Sequence, residues 1–266
     1  MAREFTYGPF TSRRLGLSLG VDILPRSKIC TYNCVYCEIG ATDPTNLVSP
    51  QCRITEPSNV KHFEKELTTL FKYIKKLDSI TFGYNGEPTL NSYLEDFYEV
   101  AKIVRKRTNW KEVPPKLTLF TNSSTLYKQE IRDVVKKFEL VLGKLDIATQ
   151  EDFLRINRPH RDVPPIETII DALTHLKSEM PKNHRLGIQC LFYQSYIEDF
   201  KSNNNKQNIE SLSKAINKIK PDIVQLYSIA RIPAEYFIYS LDHQNLVKIK
   251  QKIEKSLSNS TKIYCY

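Results

Sequence analysis

No stretch of this 266-residue chain approaches the roughly 18 uninterrupted apolar residues of a membrane span, so a membrane-crossing helix is not expected. Residues 1–20 carry Arg3, Arg13 and Arg14 and lack the apolar core of about 7 to 15 residues that a secretory leader needs. Six cysteines are far fewer than the ~8% of a disulfide scaffold, and the expected compartment is therefore a reducing cytoplasm. There is no internal repeat and no linker-like segment. With 41% hydrophobic and 26% charged residues, disorder, collagen and coiled coil are unsuitable global descriptions. What the chain does have is basic charge, +9 at neutral pH, which permits a nucleic-acid partner without establishing one.

Short apolar runs at 18–24, 79–84, 116–121, 140–149, 186–193 and 222–228 alternate with segments of helical period at 57–77, 93–107, 124–138, 165–179 and 197–219. Repeated βα units of this kind build a parallel sheet. Six strands are too few for a closed eight-stranded barrel of about 250 residues and suit a partial (βα)6 barrel, open on one side. The expected organisation is an N-terminal extension at 1–14, the partial barrel at 15–232 and a helical C-terminal extension at 233–266.

Cys30, Cys34 and Cys37, separated by three and two residues, follow the first strand candidate. Three thiolates on so short a loop can bind three irons of a cubane and leave the fourth iron free of protein ligands. A closed zinc site would want a fourth ligand, for which Cys52 is the nearest candidate. Asn85-Gly86-Glu87-Pro88 follows the second strand candidate, with a glycine where backbone can come close and a carboxylate suited to an ammonium.

The two motifs together resemble the radical S-adenosylmethionine enzymes. Residues 8–20, Lys144-Leu145-Asp146, Asn157-Arg158-Pro159-His160 and Val224-Gln225-Leu226-Tyr227 with Arg231 and Pro233 resemble a branch related to the wyosine-forming tRNA enzymes. Those enzymes carry additional cysteines upstream, and this chain has none before Cys30. The resemblance implies a 4Fe-4S cluster on Cys30, Cys34 and Cys37, and S-adenosylmethionine beside it. It further implies an external low-potential donor of the flavodoxin or ferredoxin type and a 5′-deoxyadenosyl radical that removes hydrogen from a substrate. It places Tyr36, Gly86, Glu87, Pro88, Asn122 and Ser123 around the cofactor, with tRNA modification as one expected outcome. A peptide maturase and a non-catalytic, zinc-stabilised nucleic-acid-binding module are the alternatives.

Inward-facing strand positions give an independent set of cofactor candidates, because alternate residues face one way and the carboxyl ends of the strands surround the site. Lys144 and Asp146 share one such face, Gln189 lies on another strand, and Tyr227 on the last. Lys75, Lys76, Arg105, Lys106, Arg107, Lys136 and Lys137 fall in the last turns of helices, where they complement helix dipoles. Arg13, Arg14, Arg158 and Arg231 fall instead on loops expected to border the site. Their planar forks suit phosphate or carboxylate, so the expected substrate is anionic, RNA among the candidates. Anaerobic reconstitution should load about four irons and about four sulfides per chain, insensitive to alanine at Cys52 or Cys265. Zinc uptake without sulfide would point to the structural clip.

Overall fold

In the computed structural model, which describes residues 3–258 and 260–266, the runs Ser79–Phe82, Lys116–Thr121 and Leu140–Lys144 are almost wholly buried. Burial on both faces is the pattern of strands inside a parallel sheet covered by helices. In chain order the strands are β1 (Thr6–Ser12), β2 (Gly16–Val21), β3 (Ser79–Phe82), β4 (Lys116–Thr121), β5 (Leu140–Lys144), β6 (Arg185–Ser195), β7 (Ile223–Ser228), β8 (Ile238–Ser240) and β9 (Lys262–Cys265). β2 to β7 lie side by side in sequence order and all run parallel. The sheet curls: Arg14, just before β2, brings its guanidinium carbon to 4.4 Å from the ring centre of Tyr227 on β7, although β3 to β6 stand between those strands. The expected partial barrel is therefore present.

Its outer helices form where apolar side chains recur on one stripe. Val60–Tyr73 buries Phe63, Leu67 and Phe71. Its start is not at Pro57, because Asn59 caps it by accepting from the His62 amide. Ile166–Glu179 buries Ile169, Ile170, Leu173 and Leu176, and Lys206–Ile219 buries Ile209, Leu212 and Ile216. The asparagine run before the latter helix is a loop, and Asn203 in it is buried, donating to Leu191 O and accepting from the Tyr193 amide. The basic helix ends are largely neutralised locally, Lys76 by Glu112, Arg105 by Glu139, Arg107 by Glu64, Lys136 by Asp133 and Lys137 by Glu95.

Both extensions contribute strands. Residues 6–12 form β1, antiparallel to β2 at the sheet edge, and the first two residues of the expected N-terminal extension lie outside the described residues. The C-terminal segment is not purely helical: His243–Ser256 is framed by β8, which pairs with β6, and β9, which extends the sheet beyond β7. Edge-strand pairing supplies backbone partners that a surface helix alone would not.

β1 is held by a carboxylate that the helical stripe gives no reason to bury. Glu66 is 3% exposed and accepts from the Glu4 and Thr6 amides at 2.9 and 2.8 Å, and from the Thr6 hydroxyl. Glu66→Ala should lower unfolding free energy by about 1–3 kcal/mol, the cost of orphaned buried donors, whereas Glu64→Ala should change it little. Urea unfolding midpoints decide this, and equal midpoints for the two variants would refute the role.

Candidate functional site

The carboxyl end of β2 leads into a loop that cannot be helical at Pro25 and is stitched to its neighbours by isolated backbone pairings. Ile29 pairs with Gly86, Cys30 with Leu47, and Tyr32 with Pro159. Gly86 has φ +127°, and a Cβ there would stand 1.7 Å from Ile29 O, so only glycine permits this approach. Asn85 donates its side-chain amide to Pro25 O and Arg26 O, tying the two loops together a second time.

These contacts carry Cys30, Cys34 and Cys37 to one cavity of about 300 Å³. Tyr36, Gly86, Asn122, Lys144, Gln189 and Tyr227 line it as well, and so do Arg14 and Arg231. A side-chain nitrogen donor stands beside each sulfur: Asn122 Nδ2 lies 3.4 Å from Cys30, Asn157 Nδ2 3.4 Å from Cys34, and Lys28 Nζ 3.3 Å from Cys37. Burial, reinforced by the Cys34 charge, pushes the Cys30 thiol up to about 12, and burial pushes Cys34 up too. Such sulfurs become anionic only against a cationic partner. Among the described residues, no group of three or more His, Cys, Asp and Glu side chains is drawn around a single ion position. A four-iron cluster does not require that, since each thiolate takes its own iron. The donor set, two buried sulfurs and the half-buried Cys37, each with an N–H neighbour, fits such a cluster.

Lys144 stands at the carboxyl end of β5, 3.1 Å from the Tyr227 hydroxyl and 4.5 Å from the Tyr36 ring centre. Burial works against its ammonium, yet Asp146 at 3.8 Å, Tyr227 and Cys34 hold its pKa above the ordinary lysine range. Gln189 bonds Gln225 at 2.8 Å. Cys190 is buried against Leu145 O, as a small core residue would be.

Six expected site residues are not in the cavity wall. Glu87 is fully buried, and its carboxylate accepts from the Thr89 amide and hydroxyl, the Thr121 hydroxyl and the Asn122 amide. It caps the short 3-10 turn Pro88–Leu90, so Pro88 is spent on that turn. Ser123 is buried at φ 71° with its hydroxyl toward Lys144 O. β5 ends at Lys144, so Asp146 leaves the shared strand face and bonds the Leu191 amide and the Tyr36 hydroxyl behind the wall. Arg158 is ion-paired with Glu235, and Arg13 is exposed. Lys28 falls on a loop expected to border the site, but its role as a sulfur donor, like that of Asn157, is not visible in the sequence. Asn157 belongs to the quoted Asn-Arg-Pro-His segment, the one signal that could have found it.

The family profile described as the radical SAM superfamily matches residues 24–199. A Brachyspira hyodysenteriae protein named GTPase Obg is 30% identical over 253 residues, covering 95% of this chain and 34% of that relative, so the chain spans about a third of the relative's length. Among solved structures, TYW1 with a lysine-pyruvate adduct bound superposes with a TM-score of 0.60 at 15% identity, covering 91% of this chain and 74% of that one. Streptococcus suis SuiB bound to S-adenosylmethionine gives 0.62 at 13%, covering 93% and 50%. At these identities the likeness is one of fold.

Because the Glu87 oxygens are occupied by four protein donors, Glu87→Gln, which turns an amide NH2 toward donors, should destabilise the iron-free chain by roughly 1.5–3 kcal/mol. Denaturant unfolding without iron or S-adenosylmethionine reads this directly. Unchanged stability would return Glu87 to a purely cofactor-facing role.

Proposed function

The chain belongs to the radical SAM superfamily, whose members use a 4Fe-4S cluster and S-adenosylmethionine, and from that premise we propose that it is an enzyme acting on an anionic substrate. The observation that carries this reading is one cavity shared by three cysteines and the cations Arg14, Lys144 and Arg231. Together, cluster and S-adenosylmethionine supply a carbon-centred radical able to take hydrogen from a substrate. Cys30, Cys34 and Cys37 hold the cluster. Gly86 and Asn122 present a backbone edge and an amide to the methionine end, and Tyr36 shields the sulfur loop from water.

Lys144 already has Asp146, whereas the guanidinium groups of Arg14 and Arg231 form no ion pair among the described residues, although Glu38, which also lines the cavity, accepts from the Arg231 main-chain amide. Two unspent guanidinium groups in one cavity favour phosphate or carboxylate on the substrate. RNA, with tRNA modification as the reaction class, is favoured by the net charge of +9 and by Tyr84, 47% exposed and lining the same cavity, which offers a face for a splayed base. An external low-potential electron donor belongs to this proposal. Among the described residues no helix is long and apolar enough to cross a membrane.

Binding of a cellular tRNA pool at varied salt tests the substrate class. Arg231→Glu should weaken retention about tenfold, or about 1.4 kcal/mol, while Lys106→Glu should leave it unchanged. Equal losses, salt-insensitive retention or preferential capture of a peptide pool would overturn RNA.

A further inference from the structure

The three sulfurs do not have equivalent neighbours. Cys30 and Cys34 receive side-chain hydrogen bonds from the neutral carboxamides of Asn122 and Asn157, the Lys144 charge acting on Cys34 without a hydrogen bond, whereas Cys37 receives its hydrogen bond from the ammonium of Lys28 at 3.3 Å. A second hydrogen bond fixes that ammonium, from Lys28 Nζ to Gly40 O at 2.6 Å. Gly40 in turn donates its amide to Cys37 O at 3.1 Å, so lysine, sulfur and loop end form one closed set. Lys28 lines the cavity, is only partly exposed and forms no ion pair with a carboxylate among the described residues, its ammonium bonding Cys37 and Gly40 O. Its charge is therefore not spent elsewhere in the chain.

We propose that Lys28 raises the reduction potential of the cluster by holding an uncompensated positive charge against the Cys37 sulfur. The inference rests on the reading that Cys30, Cys34 and Cys37 carry the cluster. Reduction transfers one electron from an external low-potential donor to the oxidised cluster, which gains one negative charge, while the donor is oxidised by one electron. No covalent bond forms or breaks. A neighbouring cation stabilises the more negative state, so it eases loading of the electron and reduces the driving force with which that electron leaves. Net charge and hydrogen bonds to the sulfurs are recognised levers on the potential of such clusters. A charged donor is stronger than a neutral one, so Lys28 outweighs either asparagine. Lys28 is a positioning and tuning residue, and it need not touch substrate.

The test is a mediated redox titration of reconstituted protein without S-adenosylmethionine, followed by the electron paramagnetic resonance signal of the reduced cluster. Lys28→Met should displace the one-electron equilibrium about tenfold toward the oxidised cluster, a fall of about 59 mV. Iron and sulfide content should stay at the level of the parent protein. Lys28→Arg should restore most of the shift, and Lys102→Met, which removes a remote lysine paired with Glu99, should cause none. A Lys28→Met protein that titrates with the parent, or a Lys102→Met protein that moves equally far, would overturn the proposal. So would loss of iron from Lys28→Met alone, which would assign the lysine to retention of the cluster. A parent protein that takes up no iron and sulfide would instead defeat the reading of the cysteines.

Discussion

A sulfur that water barely reaches cannot keep a negative charge unless something positive or proton-bearing stands beside it. That constraint orders the carboxyl ends of the strands here. Cys30 and Cys34 are each 9% exposed, and their thiols are pushed upward by burial. The groups that compensate arrive from separate parts of the chain: Lys28 from the loop after β2, Asn122 from the end of β4, Asn157 from the segment after β5. A parallel sheet brings such ends together by topology, since every strand delivers its following loop to the same side.

Two buried carboxylates then serve the sulfurs at one remove. Glu87 holds the Asn122 amide at 2.6 Å, and the Asn122 side chain in turn reaches Cys30. Asp146 holds the Tyr36 hydroxyl, Asn157 donates to the same hydroxyl at 2.7 Å, and Asn157 also reaches Cys34. In both cases a carboxylate held by protein donors orients the group that faces the sulfur, the same arrangement as outer partners make at metal sites generally. Saturation also explains why neither carboxylate lies in the cavity wall.

Local and periodic features were legible in the sequence. The cysteine spacing, the βα alternation and the helical stripes each depend on neighbours within a few residues, and Tyr36, Gly86, Asn122, Lys144, Gln189 and Tyr227 line the cavity that the motifs indicated. The rest depended on partners distant in the chain. Arg158 resembles an anion binder until Glu235 is found beside it. Nothing near Glu87 announces that hydroxyls of Thr89 and Thr121 will claim its oxygens. β1 contains Gly8 and Pro9, which break a strand pattern, and β9 is four residues after a polar stretch, so edge pairing found what periodicity missed.

Arg14 enters the cavity from the opposite end of the sheet to every loop that carries a cysteine or a sulfur donor. It rides on the turn between β1 and β2, where Gly16 has φ +70° and Asp78 accepts from the Leu17 amide at 2.7 Å. Its side chain rises inside the curl to Phe120 and Tyr227 and forms part of the chamber floor. That part of the chamber floor therefore comes from a hairpin separate from the loop that carries the three sulfurs. A residue gained or lost between Ser12 and Gly16 would raise or lower that floor while leaving the sulfur loop untouched, so the room for substrate and the sulfur loop are set by separate pieces of chain.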